Sequence, residues 1–176
     1  MEYLILLLLG SSNKEKLSHL HIQKEIFMLK KATDSLKPLF RFIKHYRGPY
    51  SPEIAETLKS PMFLDNCWSF SSEESDKKYS GGVIHLTEDG KKEYDKLVED
   101  IHAKGNDKLI QIMAGMRLIH DLYDDLDPKE LLYVVYKTDE FKEYTEKSIV
   151  SEEVIKSDAK DHIKKQYLNN LDFNEW

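Results

Sequence analysis

Gly48, Pro49 and Pro52 fall within five residues, inside the stretch KHYRGPYSPEIAETLKS (44–60), and nothing else in the chain restricts the backbone so tightly. Glycine opens backbone angles closed to other residues, and proline fixes its own φ and lacks a donor, so a turn is forced here. The residues after the turn are suited to starting a helix from it. Ser51 is a good N-cap, and Pro52 fits the first helical position, where its missing N–H costs nothing. Ile54, Ala55 and Leu58 share one face, Glu53, Glu56, Thr57 and Ser60 point away from it, Lys59 lies near the edge, and Pro61 ends the run. The expectation is a short helix at a rigid angle, with its outer face free to meet something.

The rest of the chain reads mainly as helix. Tyr3–Leu9 is an apolar run too short to span a bilayer, with no basic residue before it and no small-residue cleavage pattern after it. It predicts a first helix buried nearly all round and closed by Gly10, in a cytoplasmic protein. After a loop over Ser11–Lys16, LSHLHIQKEIFMLKKA places Leu17, Leu20, Lys24, Phe27 and Lys31 at helical spacing, and Ile22, Ile26 and Leu29 widen the same face. His19 and His21 diverge around that helix, which argues against a metal pair and for surface or boundary positions. In LFRFIKHY (39–46), Leu39, Phe42, Ile43 and Tyr46 satisfy helical spacing, while Phe40, Phe42, Lys44 and Tyr46 alternate as in a strand. Both readings stay open.

Further on, Trp68 with Phe70 and Val83–Leu86 predict two strands around a polar loop, a small β-hairpin. Thr87 caps a helix with Glu88 and Asp89 in its first turn and an apolar stripe of Tyr94, Leu97, Val98 and Ile101. Gly105-Asn106 interrupts, Leu109 to Tyr123 resume the helical pattern, Asp127-Pro128 begin another helix, and Ile155, Ala159, Ile163 and Tyr167 mark a last one. The fold class is mainly α with a small β-hairpin. Residues 1–104 form one domain and 105–176 a helical extension for dimerisation or partner binding, or a single unit with the first.

Composition narrows the chemistry. Among 176 residues Cys67 is the one cysteine, which excludes an internal disulfide and any multi-cysteine metal site. The net charge of -6 is unevenly spread: residues 1–60 hold 10 Lys and Arg against 6 Asp and Glu, and residues 61–176 hold 16 against 26. Two such halves favour different partners. No phosphate-cradling glycine loop occurs and the histidines are scattered, so a non-enzymatic protein without cofactor is expected. In HDLYDDLD (120–127), His120 and Asp124 would share a helical face and could hold a metal, but a solvated helix end before Pro128 accounts for these charges as well.

Three helices followed by a two-stranded ribbon is the order of a winged helix-turn-helix. HIQKEIFMLKK paired with YRGPYSPEIAETL resembles the matching segments of YwgA-like and Panacea-type winged-helix proteins. IHLTEDGKKEY is similar to the wing-to-helix join of winged-helix regulators, and KELLYVVYKTDEFKEYTEKS resembles a YwgA-like segment, so the likeness covers about Leu20 to Ser148. It implies a winged-helix domain followed by the helical extension. It also implies a DNA-binding transcriptional regulator, with residues 51–59 as reading helix and 71–82 as wing. Ser51, Glu53, Glu56, Thr57 and Lys59 would belong to the reading helix, and Arg41, Lys44, His45, Arg47, Lys77 and Lys78 would meet phosphates. The helix exposes two glutamates and no arginine, an unusual set for reading bases.

The Panacea-type likeness also implies an alternative, an antitoxin-like or adaptor protein that binds a protein partner. The acidic C-terminal half would suit a basic partner, and the tail LDFNEW could dock as an aromatic peptide or simply pack back or fray. The apolar stripes of residues 87–123 lead us to expect a homodimer.

Overall fold

Seven apolar residues in a row can leave water only if neighbours surround them, and the computed structural model buries five of them, Ile5 to Leu9, while Tyr3 stays exposed. The structure describes residues 1–72, 81–138, 142–145 and 148–170. Helix α1 (Glu2–Ser11) is buried on every side from Ile5 to Leu9, between α4 (Glu88–Ala103) and α5 (Asp107–Tyr123). Gly10 does not close this helix, which runs on to Ser11. A Cβ there would lie 2.2 Å from the Tyr94 ring of α4, so the glycine serves close helix packing. At the other end, the Glu2 carboxylate accepts the N–H groups of Met62, Phe63 and Leu64 at 2.8–2.9 Å and pins that segment to α1.

The expected loop after α1 ends in a strand, β1 (Lys16–Ser18), so α2 (His19–Ala32) starts two residues later than helical spacing alone implies. Ser18 caps it by accepting the His21 N–H. β1 is held by a partner far along the chain. The order of the three-stranded antiparallel sheet is β1-β5-β4, with β4 at Trp68–Ser71 and β5 at Val83–Leu86, and Ile84 faces Leu17 on one side and Phe70 on the other. Both strands of the expected hairpin are present. Residues 73–80 of its connecting loop, with Lys77 and Lys78, lie outside the described residues.

In the ambiguous segment 39–46, Ile43–His45 forms a strand, and the remaining residues are turn or irregular. β2 (Ile43–His45) pairs with β3 (Gly48–Tyr50) across the two-residue turn Tyr46-Arg47, and Gly48 takes the positive φ, +82°, that the return requires. This hairpin is bolted to α2 by neighbouring side chains. The Gln23 amide donates to Ser51 O (2.9 Å) and accepts from Ser51 N (2.8 Å), while Lys24 Nζ donates to Pro49 O at 2.7 Å. The corner therefore gets its stiffness from proline and its direction from α2. Helix α3 (Pro52–Lys59) leaves it as expected, with Ser51 as cap and Ile54, Ala55 and Leu58 buried.

Caps define the later helices. Thr87 caps α4, Asn106 caps α5, and Asp127 with Glu130 forms a capping box on α6 (Pro128–Lys137). Beyond α6 come the short helices α7 (Lys142–Thr145) and α8 (Ser151–Ile155) and the longer α9 (Ala159–Asn170). The protein is thus mainly helical with small antiparallel sheets. α5 packs on α1 and α2, α6 packs on α2, and one cluster of buried apolar side chains runs from Ile5 to Val154, so segments 1–104 and 105–176 share a core. No helix among the described residues is long and apolar enough to cross a membrane.

Candidate functional site

The outer face of α3 is open. Glu53, Glu56 and Lys59 are exposed and Thr57 is half-exposed, its hydroxyl donating to Glu53 O at 2.8 Å. Ser51 differs from its helical neighbours: it is wholly buried, and its hydroxyl caps Ile54 N and donates to Glu53 Oε2, so it contributes support and no outward contact.

The expected phosphate contacts divide into two groups. His45 and Arg47 of the β2–β3 hairpin converge with Lys59 of α3 on one concave site. Lys44 alternates to the opposite side of β2, where α7 packs and its charge acts on Tyr144. Arg41 is exposed ahead of β2 and does not line the concave site.

That site is a cavity of about 220 Å³ between α2, the hairpin and α3, lined by His19, Gln23, Lys24, His45, Tyr46, Arg47, Tyr50, Lys59 and Gly81, with Leu20 at its base. No carboxylate is among these residues. Lys24 is wholly buried, and its one hydrogen bond among the described residues goes to Pro49 O. Burial, reinforced by the Arg47 charge, pulls the Lys24 ammonium down to about 7. His19 Nε2 is buried with no hydrogen-bond partner among the described residues. Burial and the fields of Lys24, Lys59 and Arg47 bring this imidazole down to about 4. An aromatic wall completes the cavity: His45 stacks on Tyr50 at 4.5 Å, and Arg47 lies over Tyr46 at 5.5 Å. The whole lining therefore presents a positive field and donors to whatever enters it.

A second cluster lies in the core. His120, expected at a solvated helix end, is buried, and so is His21, which donates to or accepts from Ser18 Oγ (2.7 Å) and meets Leu126 O at 2.9 Å. The reason is long-range packing, since α5 brings His120 against α1 and α2. His120 Nε2 donates to Leu8 O (2.8 Å), and Nδ1 faces Asp124 Oδ1 at 2.8 Å and Glu25 Oε2 at 3.5 Å. Burial lifts the wholly buried Glu25 to about 8. Burial alone would discharge His120 and Asp124, but their mutual hydrogen bond, with the further hydrogen bonds and charges around them, together outweighs it, raising the imidazole and lowering the carboxyl. His120 and Asp124 form an imidazolium–carboxylate pair beside a protonated Glu25, whose carboxyl oxygens have no hydrogen-bond partner among the described residues. The ligand atoms of all three lie within 4.8 Å of one another, so these side chains also have the donor set for a divalent cation.

Helical spacing puts Lys24 on the apolar stripe of α2 but does not reveal its role in a site, and it gives no hint that His19, Tyr50 and Gly81 are neighbours. A lysine at a core position was the signal for the first; the others come together only through the hairpin and the sheet. No family model matches the chain, and no curated protein matches it.

Proposed function

We propose that this protein is a DNA-binding regulator of winged-helix type, acting by binding rather than catalysis, with α3 as the reading helix. The observation that carries this reading is the open outer face of α3 beside the cationic group of His45, Arg47 and Lys59. On a duplex, Arg47 and Lys59 meet phosphates on the flank of α3, and Glu53 and Glu56 are limited to accepting from cytosine amino groups. Leu118 and Leu122, one turn apart on α5, are exposed and offer an apolar strip to a second copy of the chain. Such a dimer would set two α3 helices on half-sites about 34 Å apart.

The test is fluorescence anisotropy with random-sequence and own-locus duplexes at rising salt. We expect binding that weakens with salt, with Lys59→Ala lowering the slope of log K against log salt by about 1, one phosphate contact. A protein that leaves duplex DNA unbound at about 50 mM salt refutes the reading.

One observation favours the alternative of a protein partner. Met62 and Phe63 are 82% and 78% exposed where Glu2 pins their backbone, and Met1 reaches Thr57 from the same end of α1. This apolar, acid-edged end suits an antitoxin-like or adaptor role better than the tail LDFNEW, which lies outside the described residues. Co-purification of a neighbouring gene product, lost in Phe63→Ser, would shift the conclusion to this reading.

A further inference from the structure

From the cavity between α2, the β2–β3 hairpin and α3, we infer a seat for one terminal phosphate group, the phosphomonoester of a small molecule or of a nucleic-acid end. Lys24 at its floor is the first reason. A buried ammonium has three N–H donors, and Pro49 O takes one of them. A lone charge in such a place costs several kcal/mol, or is shed, unless an opposite charge accompanies it, and no described residue lining the cavity supplies one. His19 lines the same cavity, and its buried Nε2 lacks a hydrogen-bond partner among the described residues. Tyr50 and Lys59 add further donors on the opposite walls.

Shape selects the ligand among anions. A carboxylate offers two oxygens in one plane, whereas a phosphomonoester offers three around a tetrahedron and up to two negative charges. The latter suits donors arriving from α2, the hairpin and α3 at once. A diester inside a continuous strand has chain leaving on both sides and cannot enter a concave site of about 220 Å³, but a terminal phosphate enters end-on. The volume is smaller than a typical drug-sized pocket, so the phosphate and a small attached group fill it, with the remainder lying on the Tyr46, His45 and Tyr50 wall. Gly81, at φ +74°, closes one side, and a Cβ there would lie 3.3 Å from His19 Nδ1 and narrow the cavity.

This inference does not depend on duplex binding, and its test contains no duplex. Isothermal titration of the full chain uses adenosine 5′-monophosphate, adenosine, inorganic phosphate, and a single-stranded thymidine hexamer with and without a 5′-phosphate. Binding of the monophosphate or of the phosphorylated hexamer, at least tenfold tighter than its unphosphorylated counterpart, supports the seat; which of them binds more tightly identifies the source. Lys24→Met is expected to remove that preference. Because Lys24 also holds Pro49, the exposed Lys59→Ala serves as the second variant, expected to weaken binding at least threefold with an unchanged melting temperature. Equal affinity with and without the phosphate, or no binding by any phosphorylated probe at millimolar concentration, overturns the inference.

Discussion

Replacing Gln23 by methionine, which has nearly the same length and volume, tests whether α2 holds the corner in place. The side chain is wholly buried, and its amide makes two hydrogen bonds to the backbone of Ser51. Methionine keeps the packing and removes both. Ser51 N loses its acceptor in a dry site, which costs about 1–3 kcal/mol. Ser51 O still accepts from Ala55 N at 3.2 Å, so its loss is the smaller amount of an ordinary hydrogen bond, about 0.5–1.5 kcal/mol. The sum is about 1.5–4.5 kcal/mol, equivalent to roughly 3–18 °C in melting temperature for a chain of this size. Urea and thermal unfolding followed by circular dichroism measure it directly. A variant within about 0.5 kcal/mol of the parent would show that the prolines hold the corner without α2.

Two further outcomes concern stability. Glu25 titrates near 8 in the fold against 4.5 in the open chain, so between those values the folded state binds the extra proton and stability falls as pH rises. Glu25→Gln cannot ionise and should lose most of that decline relative to the parent in urea unfolding at pH 5, 6.5 and 8; parallel curves would refute it. Gly90→Ala should destabilise by at least about 3 kcal/mol despite a gain of about 1 kcal/mol in helix propensity, because the new Cβ falls 1.9 Å from Cys67 O. Chemical denaturation showing a neutral or stabilised variant would contradict it.

Features decided within a few residues were legible in the sequence. Ser51 and Thr87 cap the helices they were expected to cap, because a cap needs only a side chain and the N–H two or three positions on. The strands at Trp68 and Val83 were also visible from their composition. What escaped depends on partners far away in sequence. β1 is a strand only because β5 lies beside it, and within 39–46 the pairing with Gly48–Tyr50 makes a strand of Ile43–His45 alone. His120 looked like part of a solvated charge run because its burial depends on Leu8, 112 residues earlier. The basic cavity was half legible: Lys59 and Arg47 stood out as exposed charge, but the ammonium at its floor was hidden in an otherwise apolar stripe.

The grip of α2 on the corner has a mechanical consequence. Gln23 and Lys24 are successive residues, and they seize the backbone at Ser51 and at Pro49, on either side of Tyr50. Whatever draws the Lys24 ammonium toward the cavity loosens one of two adjacent bolts while the other stays fast. The short helix beyond would then pivot about Ser51 instead of sliding, so an occupant of the cavity would change the tilt of α3.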